Sequence, residues 1–209
     1  MTSAVFGLIA VAETALLILV LRLPSGWART LLALVVAALI WDNAVIALGS
    51  TIGPGAVLQA LSVPRFVTHA LLVPLLVLIA AGLAGVADLR PFILTTALLI
   101  GIGVYGDIVT LALEPTHYAG TVRYTNAASN GPPIAAIAVI LILIAFGVLL
   151  LRRHRSPWLL AGAATMFAAA AIGLPWLANL GELALAVAVY LTMRLPRKLP
   201  VSGISLGST

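Results

Sequence analysis

LLALVVAALIWDNAVIALGS, residues 31–50, is apolar except for Trp41, Asp42, Asn43 and its closing Gly-Ser pair. About 20 apolar residues suffice to cross a ~30 Å hydrocarbon core, so the stretch reads as the body and outgoing end of a membrane helix. A carboxylate inside such a helix costs roughly 2.5 to 3.5 kcal/mol on insertion scales. Glu13, Asp107 and Glu182 repeat the anomaly in other apolar stretches, and four such groups sum to on the order of ten kcal/mol before pairing. They are expected to face the interior of a helix bundle.

Composition agrees with that class. The chain has 209 residues, 63% hydrophobic and 8% charged, with a mean hydropathy of +1.21; soluble domains carry about a quarter charged residues. Without cysteine, disulfide, thiolate-metal and thiol-nucleophile chemistry are excluded. The net charge of +5 sits in short clusters at the ends of hydrophobic segments, where it acts as a topology signal, so no nucleic-acid partner is expected. Ten of the eleven basic residues are arginine and alanine is abundant, a composition of GC-rich bacterial genomes, which points to a bacterial inner membrane. The N-terminal segment lacks a basic n-region, contains Glu13 and runs too long for a signal peptide; it reads as a retained first helix.

The sequence thus predicts an all-α polytopic membrane protein with seven transmembrane helices at roughly 4–22, 28–48, 66–86, 91–113, 133–151, 157–175 and 176–194, in one domain over 1–198. A short polar tail, 199–209, follows and is expected to be disordered. The last two helices are separated only by Leu174-Pro175-Trp176, a tight helical hairpin. Arg22, Arg29, Arg90, Arg152, Arg153, Arg155, Arg194, Arg197 and Lys198 fall on one side, Arg65 and Arg123 on the other. The positive-inside rule then puts the N-terminus outside and the C-terminus in the cytoplasm. Two outer connections are long: 49–65, with a short apolar piece expected at the interface, and 114–133, the most polar stretch, expected as a lid.

At ~1.5 Å rise per residue, Asp42, Asp107 and Glu182 lie roughly 9 Å below the outer helix ends, Glu13 ~13 Å and His69 ~5 Å. Five helices therefore carry polar groups in one layer. Gly103, Asp107, Thr110 and Glu114 follow a helical face, as do Asn179, Glu182 and Ala186. Asn43, Thr110 and Asn179 also fit a role as interhelical hydrogen-bonding groups. A carboxyl group in a medium of low polarity favours its neutral form, so such a layer can supply protons.

Several chemistries lack their residues. His69 and His117, the two histidines on the outer side, form no paired metal-ligand spacing, so no metal site is expected. Ser50 and Ser62 lack a base partner; the single lysine, Lys198, lies outside the helices, where no retinal Schiff base could form; paired haem-ligating histidines are missing. No cofactor is expected. What fits is proton-initiated chemistry on a hydrophobic small molecule or lipid, with Trp41 and Tyr105 offering aromatic faces to a carbocation. A proton-coupled carrier using the same carboxylates is the alternative.

The layout, with Trp41-Asp42 in the second helix and Glu182 in the last, resembles the small seven-helix membrane-integral terpene cyclases of fungal meroterpenoid and bacterial drimane-type pathways, with Asp42 where the family pattern carries Glu. The resemblance implies cyclisation of a linear prenyl chain, begun by protonating an alkene or epoxide and ended by deprotonation. On that expectation Asp42 is the general acid, and Glu182 or Asp107 assists it or takes the final proton. Glu13, Trp41, Asn43, His69, Tyr105 and Asn179 complete the substrate site.

Overall fold

The computed structural model describes residues 2–129 and 131–195; Arg197, Lys198 and the expected tail 199–209 lie outside the described residues. Eight helices and one β-hairpin follow in the order α1 (Thr2–Leu21), α2 (Trp27–Ile52), α3 (Ala56–Leu72), α4 (Leu75–Leu83), α5 (Arg90–Val104), β1 (Leu113–Tyr118), β2 (Thr121–Asn126), α6 (Ile134–His154), α7 (Trp158–Ile172) and α8 (Pro175–Met193). A π-helical turn, Tyr105–Val109, extends α5.

Among the described residues, six helical stretches are long and apolar enough to cross a membrane: Ser3–Leu21, Trp27–Ile52, Ala56–Leu83, Arg90–Val109, Ile134–His154 and Pro175–Met193. The protein therefore has the character of a helical membrane protein. The expected sixth helix is shorter than read from sequence: α7 has 15 residues, about 22 Å of rise, because Pro157 precedes it and Gly173 ends it in the left-handed conformation (φ 75°). Pro175 then starts α8 at a position where its missing N–H costs nothing.

The third helix begins at Ala56, ten residues before the expected start. The apolar piece of the 49–65 connection is thus its first two turns, continuous with the span. Pro74 interrupts this helix because it lacks an N–H to continue the ladder; the chain bridges the break with shorter bonds, Leu76 N–H to Val73 O at 3.1 Å and Val77 N–H to Pro74 O at 3.1 Å.

The chain is mostly helical, as expected, and residues 113–126 add a β-hairpin where a polar loop is expected. β1 and β2 pair antiparallel from Leu113 opposite Asn126 to Tyr118 opposite Thr121. The alternation of Thr, Val, Arg and Tyr suits a pleated strand, and Ala119-Gly120 turns with positive φ at both residues (45° and 88°). This hairpin is anchored rather than a free lid. The Thr121 hydroxyl donates to Ile46 O at 2.6 Å, the Tyr124 hydroxyl accepts from the Gly55 N–H at 3.0 Å, and the Asn126 amide donates to Gly106 O at 3.1 Å. Gly49 lets the strand approach α2 directly: a Cβ there would collide with the Val122 carbonyl oxygen.

Packing divides the bundle by depth. Leu16, Val20, Leu32, Val36, Val77, Leu143, Leu159 and Val189 form an apolar core in the half facing the arginine-rich connections. There α6, α7 and α8 meet through small residues, Gly147 against Leu160 and Gly162 against Ala188, as membrane helices do when backbones must approach closely. The acids Glu13 and Asp42 and the asparagines Asn43 and Asn179 gather in the other half, on the side of the hairpin.

Candidate functional site

Glu13 on α1 is fully buried. The Asn43 amide on α2 donates to both of its carboxylate oxygens at 3.0 Å and to the Leu39 carbonyl at 3.1 Å. Asn43 Oδ1 in turn accepts from the Asn179 amide on α8 at 3.0 Å, and the same nitrogen lies 3.4 Å from Asp42 Oδ2. Asp42 Oδ1 is ion-paired with the Arg65 guanidinium on α3. Arg65 reaches further, donating to the Tyr124 carbonyl on β2 at 3.2 Å, with its guanidinium carbon 5.5 Å from the centre of the Phe66 ring. One continuous chain of polar contacts therefore ties α1, α2, α8, α3 and the hairpin together. Its members satisfy one another, which is what makes burying them tolerable in an apolar medium.

Beside this chain lies a cavity of about 390 Å³, bounded by α3, the α5–π segment, the connection at Ala128–Ser129 and Gly131–Pro133, and the start of α6. His69, Tyr105, Asp107 and Thr110 are its polar wall; Val73, Ile102, Ile134 and Val139 supply apolar surface. The π turn sets this wall. Thr110 N–H bonds Tyr105 O at 3.2 Å, a five-residue step, and such turns widen a helix locally and recur at functional sites. A second cavity of about 50 Å³ is almost wholly apolar and has Glu182 and His69 as its ionisable groups. A third, of about 20 Å³, is bounded by Asp42, Arg65, Thr68 and His69. His69 borders all three. It interacts electrostatically with Asp107, Asp42 and Arg65, while Glu182 does so with Asp42 and Arg65.

The expected residues thus separate into two groups. Glu13, Asn43, Asn179 and Asp42 form the hydrogen-bonded chain, and Asp107, Tyr105 and His69 face the large cavity, with Glu182 beside the smaller one. Trp41 is placed elsewhere: it is 43% exposed on the outer face of α2 and donates its indole N–H to Leu61 O at 3.1 Å. Neighbours on a helix point about 100° apart, so turning Asp42 inward turns Trp41 toward lipid. Asp42 is likewise engaged by Arg65 and Asn179 and borders the smallest cavity rather than the large one. Of the expected face on the fourth helix, Gly103, Asp107 and Thr110 do line the cavity; Glu114 is on β1 and exposed, because the helix ends at the π turn.

Arg65 and Arg123 entered the sequence reading only as outer charges. Nine residues of α3 precede Arg65, and a sequence reading that starts this helix at 66 leaves the arginine in the preceding loop. Among the described residues, no group of three His, Cys, Asp or Glu side chains could hold a metal ion. Comparison with protein-family models, curated proteins and solved structures finds no match to this chain.

Proposed function

We propose that the protein is an intramembrane terpene cyclase, acting on a linear prenyl chain by proton transfer within a seven-crossing bundle whose N-terminus lies outside. The observation that carries this reading is the 390 Å³ cavity with Asp107 and His69 on an otherwise largely apolar wall. Its volume is within the ~300–1,000 Å³ of small-molecule sites, and its apolar surface suits a hydrocarbon chain.

In this mechanism Asp107, in its neutral form, gives its proton to a terminal alkene carbon or an epoxide oxygen. The π electrons of the chain then close the ring bonds in turn, and the final cation loses a proton to His69 or to the Asp107 carboxylate. With an alkene start, the product is an isomer of the substrate and the proton count is unchanged. Tyr105 at the rim offers its ring face to positive charge. Asp42, held by Arg65, positions α2 against α3 rather than facing the chain; the general-acid role expected for it passes to Asp107.

Membranes containing the protein are to be incubated with farnesyl and geranylgeranyl compounds, free, epoxidised or attached to aromatic acceptors, and searched for products of unchanged mass. Asp107→Asn should lower the rate by about 10²- to 10⁴-fold, the usual weight of a general acid, with the fold retained. Unchanged turnover in that variant excludes the assignment. The polar chain from Glu13 to Arg65 favours a second reading, a proton-coupled carrier, which predicts flux of a solute without change in its covalent structure.

A further inference from the structure

We infer that Arg65 and Arg123 form a binding site for a phosphate-class oxyanion at the hairpin end of the bundle, carried as the polar head of an amphiphile whose apolar part occupies the large cavity. Only the placing of the apolar part rests on the reading above; the oxyanion site stands on the arginines.

The strand pattern brings the two together. Successive side chains on β2 alternate faces, so Arg123 shares a face with Thr121, whose hydroxyl reaches Ile46 on α2. Arg65 rises from α3 to the Tyr124 carbonyl beside it. Tyr124 directly follows Arg123, so the Arg65 guanidinium and Arg123 meet at the same stretch of β2, and the two act on each other electrostatically, with Asp42 the opposing charge. Burial pushes the Arg123 guanidinium below its ordinary value, and Arg65 adds to that.

Charge and hydrogen bonding are both incomplete here. Asp42 is committed to Arg65, which leaves one of the two positive charges without an ion-paired carboxylate among the described residues. Glu114, opposite Thr125 on the hairpin, is exposed. The Arg123 Nε is buried and has no hydrogen-bond partner among the described residues. Leaving a buried donor unmet is unfavourable, and a planar guanidinium fork is the shape that takes two oxygens of a phosphate. Arg65 and His69 border the same small cavity, and His69 also borders the large one. The Arg65 side of the oxyanion site and a hydrocarbon tail beyond His69 therefore share a border.

The test is binding, so that it reads independently of any turnover. Protein in nanodiscs of zwitterionic lipid is titrated with farnesyl monophosphate and with farnesol. The phosphate should bind at least tenfold tighter, with a preference that shrinks as salt rises. Arg123→Gln should remove most of the preference while leaving farnesol binding intact, and Arg123→Lys should keep part of it. Inorganic phosphate that competes with the prenyl phosphate, or anionic phospholipid in the disc that does so, each supports the oxyanion site and names its other source. Equal binding of phosphate and alcohol, or a preference untouched by salt and by both Arg123 variants, overturns it. Cyclisation failing while the preference persists would refute only the cyclase reading.

Discussion

Replacing Arg65 with methionine tests whether the polar chain holds the bundle together. The two partners of the Arg65–Asp42 pair are only 15% and 19% exposed. Breaking one side of a buried pair costs ~3–5 kcal/mol, whereas exposed bridges are worth ~0–1 kcal/mol. Partial access to solvent lowers the first figure, and loss of the bond to the Tyr124 carbonyl adds ~0.5–1.5 kcal/mol. Arg65→Met should therefore destabilise the protein by about 2–4 kcal/mol. Asp42→Leu alone should be costly for the converse reason, since it leaves the guanidinium unpaired. The double variant Arg65→Met/Asp42→Leu removes both charges and should recover about 1.5–3 kcal/mol relative to the sum of the singles. Unfolding by SDS titration in mixed micelles, followed by circular dichroism, gives all three values. An Arg65→Met loss below ~1 kcal/mol, with additive effects in the double variant, would mean the pair behaves as a surface bridge and would refute the argument.

Three other substitutions probe separate links. Asn43→Leu removes the donor to Glu13 and the acceptor for Asn179, and should cost about 1–3 kcal/mol in the same unfolding assay; adding Glu13→Leu should restore part of it. Gly49→Ala forces β2 away from α2 and should cost ~1–3 kcal/mol, with faster hydrogen exchange over 121–126 as its local signature. Trp41→Phe removes one lipid-facing hydrogen bond, so stability should fall by no more than ~1 kcal/mol and any turnover should be unchanged; a large loss of turnover would return Trp41 to the site.

The hydrophobic spans and the buried acids are local properties of the sequence. A run of apolar residues needs no partner to be recognised, because the bilayer itself selects it by transfer free energy. The same holds for Glu13, Asp107 and Glu182, whose cost in lipid follows from residue type alone. Helix ends were less legible where proline and glycine act through geometry: Gly173 shortened α7, and Pro64 within α3 did not end it. The hairpin was hidden for another reason, since a polar stretch of 20 residues reads as a loop until a bundle surface pairs it.

Residue type and order alone set the helical membrane character of the chain and the inventory of groups that must be buried away from lipid. Which of those groups meet was decided by the tertiary structure alone. Asp42 finds Arg65, Glu13 finds Asn43, and Asp107 faces His69 across a cavity because the rotation of each helix about its axis, and the kink at Pro74, set their directions. Rotation is fixed by the joint packing of all the helices and the hairpin. No single segment carries it, and a turn of one residue would move each side chain about 100° away.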